Sequence, residues 1–177
     1  MHVGYDFAFL VALYITIAAV VDYRTKKIPN WLTVPAALLG LAFNAFAPHG
    51  LGPVTALLGF AVGFGLLLLP WILGGGGMGD VKMLAALGAW LGPILLLVAF
   101  AGAAILAAVA ATIIIAISTM NTGIMATQDR YIRSSAGAVQ AAGRPARKTR
   151  RVLPFAVPVA VSTWLVLAWL LLAHSAR

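Results

Sequence analysis

Two aspartates carry the chemistry that this chain offers. Its 177 residues include four acidic positions, Asp6, Asp22, Asp80 and Asp129, and no glutamate. Asp22 opens the basic turn Asp22-Tyr23-Arg24-Thr25-Lys26-Lys27-Ile28-Pro29-Asn30, and Asp80 closes the run Gly74-Gly75-Gly76-Gly77-Met78-Gly79-Asp80. Each interrupts apolar sequence where a polar stretch meets a helix, and an ionisable group at such a boundary points to a functional site. Two carboxylates that meet in space can share one proton and activate a water to hydrolyse an amide bond.

Each aspartate also has a plainer reading. Asp22 could end a helix and pair with Arg24, Lys26 or Lys27, and Asp80 could cap a helix N-terminus. The glycine run formally satisfies G-x-G-x-x-G, but it follows a membrane-length apolar stretch and has no acidic residue about twenty positions beyond it, so a dinucleotide fold is excluded. A P-loop fails too, because Gly-Lys-Ser/Thr is missing and Lys82 stands two residues after an aspartate. What remains is a loop whose glycines permit close backbone approach and which delivers Asp80 to a helix start, where free amides and the helix dipole favour a negative charge.

The elements that must position these residues are membrane helices. The chain is 63% hydrophobic and 9% charged, too apolar for an ordinary soluble domain. Apolar runs of about the ~20 residues that cross a bilayer occupy residues 5–21, 31–47, 54–73, 94–118 and 153–173, with a shorter run at 80–91. Gly92-Pro93 separates that short run from the next, since Pro93 lacks an amide proton and restricts the residue before it. Eleven of the twelve Lys and Arg lie at residues 24–27, at Lys82 and at 130–151. If the short run crosses, all three groups share one side, as the positive-inside rule requires. The expected fold is therefore all-α and polytopic, a single membrane domain over 1–177. It has six transmembrane helices, the N-terminus and C-terminus outside, and both aspartates at the cytoplasmic face of the inner membrane. No basic n-region precedes the first run, so a cleaved signal peptide is not expected.

Other features read as structure. Residues 119–152 form a basic loop, expected to be cytoplasmic and to touch anionic lipid rather than nucleic acid. Trp31, Trp71, Trp90 and Trp164 fall near helix ends, as interfacial anchors do. Gly59, Gly63 and Gly65, and Gly102, Ala103, Ala107, Ala110 and Ala111, suit close helix packing in lipid. His2, His49 and His174 lack metal-ligand spacing, and the chain has no cysteine, so neither a metal nor a cofactor is implied.

The segment from Gly77 through Asp80 and Lys82 to Gly92 resembles the Gly-x-Gly-Asp-x-Lys motif and following helix of the type IV prepilin peptidases. Asp22 with Ile28-Pro29-Asn30-Trp31-Leu32-Thr33 is similar to that family's first aspartate motif. Leu153-Pro154-Phe155-Ala156 resembles the opening of its last helix, with Ala156 in place of the usual glycine. The resemblance implies an aspartic endopeptidase that cuts a short basic leader from a prepilin or pseudopilin, with Asp22 and Asp80 as the dyad and no cofactor. Gly77 and Gly79 would admit the substrate backbone, and Lys82 would orient a carboxylate or touch the substrate. With neither cysteine nor the cysteine-bearing insertion of larger members, the chain resembles the minimal forms that process Flp-type (tight adherence) pilins, and methyl transfer is not implied. The archaeal preflagellin peptidases share both motifs.

Two rival readings remain at this point. A small proton-coupled transporter would place the carboxylates near the bilayer midplane, on a polar path through the helices. A non-enzymatic scaffold for the pilus-assembly machinery would keep the motifs as structure alone.

Overall fold

The computed structural model describes residues 5–47, 50–73, 77–122 and 155–175. Among these residues all regular structure is helical: α1 (Tyr5–Thr25), α2 (Asn30–Phe46), α3 (Pro53–Ile72), α4 (Met78–Thr122) and α5 (Ala156–Ser175). Four are long and apolar enough to cross a membrane, and α2 is a shorter apolar helix. The chain is an integral membrane protein.

The helix starts are written in the sequence. Proline suits the first turn of a helix, where its missing amide leaves no bond unmade; Pro53 opens α3 and Pro29 precedes α2 in extended conformation. The end of α1 is fixed by Lys26, whose φ of 53° places it in the left-handed region while its amide bonds the Asp22 carbonyl at 2.8 Å. A non-glycine residue is uncommon there. The Thr25 hydroxyl, 2.8 Å from the carbonyls of both Val21 and Lys27, braces that turn.

The expected break at Gly92-Pro93 is present, but inside one element. Gly92 has φ 71° and ψ 176° and divides α4 into a first limb, residues 78–91, and a second, from Pro93 onward. At 1.5 Å per residue the first limb is roughly 21 Å long. Beyond Lys82 it is apolar and buried all round: Met83, Leu84, Ala86, Leu87, Trp90 and Leu91 are each at most 4% exposed. Such a helix belongs at a core centre. Trp90, expected at the membrane interface, is instead a core residue. Its indole Nε1 donates to the Ala36 carbonyl at 2.8 Å, and a Cβ on Gly40 would fall 2.8 Å from its ring. The first limb is enclosed by its neighbours, so Trp90 faces protein and not lipid. Trp31, Trp71 and Trp164 are exposed.

The break is repaired by Asn44. Pro93 cannot donate to the Ala89 carbonyl, and Gly92 beside it is not helical. The Asn44 amide, 2% exposed, lies 2.9 Å from the Ala89 oxygen and 3.1 Å from that of Trp90. Its Oδ1 accepts the Leu51 amide at 2.9 Å, which fixes the α2–α3 turn. In lipid, carbonyls without partners cost several kcal/mol each, so a broken helix needs such a donor.

Small residues bring α3 against the first limb. A Cβ on Gly59 would collide with the Gly88 carbonyl, and one on Gly63 with that of Leu84. Gly65 meets nothing within 4 Å and Ala111 is exposed, so those two do not serve the close packing expected of them. Where α4 and α5 approach, Gly102 makes room for Ser162, whose hydroxyl donates to the Ala99 carbonyl at 2.7 Å. Met1–Ala104 with Pro154–Arg177 forms one compact unit and Ile105–Leu153 another. In the second, the described residues continue α4 to Thr122 with Ile105, Val109, Ile113 and Ile117 exposed. The basic segment lies outside the described residues from 123 onward, as do Asp129, His2, His49 and residues 74–76.

Candidate active site

Asp22 lies in the last turn of α1 and is 2% exposed; Asp80 is the third residue of α4 and is 6% exposed. Spacings of four place Tyr14, Ala18 and Asp22 on one buried face of α1. The Tyr14 hydroxyl donates to the Met83 carbonyl, 3.2 Å away and one turn beyond Asp80. The two buried carboxylates therefore stand at the same end of adjoining helices, α1 finishing there and α4 beginning.

Two further contacts lock that end together. A Cβ on Gly79 would lie 3.2 Å from the Ile28 amide nitrogen and 3.3 Å from its Cβ, so the glycine lets the loop after Asp22 rest on the start of α4. Lys82 Nζ donates to Asn30 Oδ1 at 2.9 Å. The Ile28-Pro29-Asn30 part of the first aspartate motif thus touches the second motif at two places. Gly77 and Gly79 are half-buried, and the Gly77 carbonyl accepts the Asp80 amide at 3.0 Å, which starts the helix.

The third motif joins them. The Ala156 amide, at the first residue of α5, donates to Asp22 Oδ2 at 3.3 Å in a buried setting. A helix N-terminus offers its free amides and the positive end of its dipole to a carboxylate. Asp22 meets the start of α5, while Asp80 belongs to the first turn of α4. Sequence reasoning singled out Asp22, Asp80, Gly77, Gly79 and Lys82, but gave no role to Tyr14, Asn30 or the Ala156 amide. Tyr14 could have been found from its spacing to Asp22, and Asn30 from its place in the motif. A main-chain amide leaves no signal in side-chain identity. Both carboxylates lie at helix ends, not midway along a helix as a proton path through the membrane would need.

Residues 9–117, which contain Asp22 and Asp80, match the type IV leader peptidase family, and the chain belongs to that family. It is 39% identical over 106 residues to a prepilin leader peptidase/N-methyltransferase of Escherichia coli K12, covering 53% of this chain and 46% of that protein. Proteins of the same description from Xanthomonas campestris and Klebsiella pneumoniae are each 37% identical. They match over 111 and 89 residues, 54% and 47% of this chain and 37% and 39% of their own lengths. The chain thus spans less than half the length of these relatives. No solved structure matches it significantly.

Proposed function

We propose that this protein is an aspartic endopeptidase that removes the leader from prepilin-like substrates, with Asp22 and Asp80 as its catalytic pair. The observation that carries the reading is the burial of two carboxylates at one end of the bundle, held there by contacts that join all three motif regions. One carboxylate, ionised, takes a proton from water as the water attacks the scissile carbonyl; the other, protonated, donates to the carbonyl oxygen. The tetrahedral intermediate then collapses, the amine leaves with a proton, and no covalent enzyme intermediate forms. Gly77 admits the substrate main chain, Gly79 seats the Ile28 loop on the start of α4, and Lys82, through Asn30, holds the two motif loops in register. Lys82 is a positioning residue in this reading.

The proposed site lies at the cytoplasmic face of the inner membrane, with six crossings and both termini outside, the first limb of α4 serving as the short crossing. Prepilins carry the scissile bond, and anionic lipid and the pilus-assembly machinery are the surrounding partners. N-methyl transfer is left out of the proposal, because the match spans less than half of each relative named for both activities. Purified protein incubated with candidate prepilins tests the whole reading. A shortened product whose new N-terminus directly precedes the apolar segment is expected; intact substrate with every prepilin tried, under conditions where a known leader peptidase cuts them, would end it.

A further inference from the structure

On the side of the first limb away from Asp80, α2, α3 and α4 line an open-sided cavity of about 330 Å³. Its walls are apolar, formed chiefly by Ala37, Leu38, Phe60 and Phe64, and two polar residues, Thr33 and Lys82, also border it. Residues two apart on a helix point about 200° from each other, so Lys82 leaves the helix nearly opposite Asp80. The cavity is a different place from the carboxylate pair.

Three observations say what fills it. Lys82 uses one of its three ammonium protons on Asn30, and no carboxylate lines the cavity. The Thr33 hydroxyl, on a residue 2% exposed, has no hydrogen-bond partner among the described residues, and a buried orphan of this kind costs about 1–3 kcal/mol. The apolar walls open beside Leu38, which is 62% exposed on the outer surface of α2. A cation and a spare hydroxyl at the head of an apolar groove complement an anion that carries a hydrocarbon chain. Arg24, Lys26 and Lys27 lie at the same end of the helices, since the loop they begin packs on Gly79, and such a basic rim concentrates anionic headgroups.

We propose that this cavity is a specific site for one anionic phospholipid, with its phosphate on Lys82 and Thr33 and an acyl chain between α2 and α3 against Phe60 and Phe64. It separates the loops of the two motifs from the surrounding bilayer and holds Lys82 in place. The proposal does not depend on the leader-peptidase reading, because its test measures lipid and not cleavage.

The test uses the full chain, purified in detergent and exposed to equimolar phosphatidylglycerol and phosphatidylcholine with identical chains, followed by native mass spectrometry. One phosphatidylglycerol per chain is expected, retained about tenfold over phosphatidylcholine. Lys82→Gln should remove the preference between headgroups, and Ala37→Phe or Leu38→Trp, which obstruct the groove, should release both lipids. Melting temperatures identify any variant that fails to fold, and the exposed Leu38 position supplies a variant that folding tolerates. Excess inorganic phosphate should displace nothing, since the acyl chain is required. Equal retention of the two lipids by the wild type, unchanged retention in the folded groove variants, or displacement by phosphate alone would each overturn the site. So would a photo-crosslinker at Leu38 that captures a prepilin's apolar segment in place of lipid.

Discussion

Asp22 accepts a main-chain amide from another helix, and that contact distinguishes it from a residue that merely ends α1. A helix-end aspartate serving only topology would face solvent and the neighbouring basic side chains; this one is buried and turned to the start of α5. Asn is nearly the same size as Asp and keeps an oxygen to accept the Ala156 amide, so Asp22→Asn should preserve the fold while removing a proton-transfer group. The same holds for Asp80→Asn. Each is expected to lower prepilin cleavage by about 10²–10⁴-fold with an unchanged melting temperature, whereas Asp6→Asn, exposed in the first turn of α1, should cleave normally. Near-normal cleavage by either dyad variant would remove that aspartate from the mechanism. Both aspartates were legible in the sequence because a carboxylate is conspicuous in a chain with so few. The amide that holds Asp22 was not, because every residue but proline carries one.

The helices show the same division between what side-chain type reveals and what only assembly reveals. Apolar runs and prolines located five segments within a few residues of the observed helices, and Gly92-Pro93 located the break. The hydrophobic pattern could not show that Asn44, 45 residues from Ala89 in sequence, would cover the carbonyls freed by that break. Nor could it tell that Trp90 lies inside, since tryptophan near a helix end suits both an interface and a core. Asn44→Ala should therefore cost about 2 kcal/mol, from leaving buried carbonyls and the Leu51 amide without their partner, read as a lower unfolding midpoint in detergent. The glycines of α3 offer a sharper contrast. Gly59→Ala puts a methyl group into the Gly88 backbone and should destabilise strongly, because neither main chain can yield. Gly65→Ala, with open space around it, should be neutral or mildly stabilising through its gain in helix propensity, up to about 1 kcal/mol. Equal effects at the two positions would mean that α3 does not pack on α4 through Gly59.

For the molecule as a whole, the decisive property is which end of the bundle faces the cytoplasm, since that fixes the compartment in which any substrate must present its scissile bond. The ends are chemically unlike. The C-terminus of α1 carries Arg24, Lys26 and Lys27 and adjoins Lys82 at the start of α4, while α2 ends at the opposite end with Phe46 and no basic residue in its last turn. Translocation disfavours Lys and Arg near helix ends, so the Asp22 end should stay in the cytoplasm. The chain contains no cysteine, so each introduced thiol reports alone. Tyr23→Cys, at a position 70% exposed beside Asp22, should react with a membrane-impermeant maleimide only in inverted vesicles. Phe46→Cys, at a position 87% exposed, should react only in intact cells with a permeabilised outer envelope. Labelling of both from one side would contradict a crossing by α2, and the reverse pattern would move the carboxylates to the far face and with them the proposed cleavage.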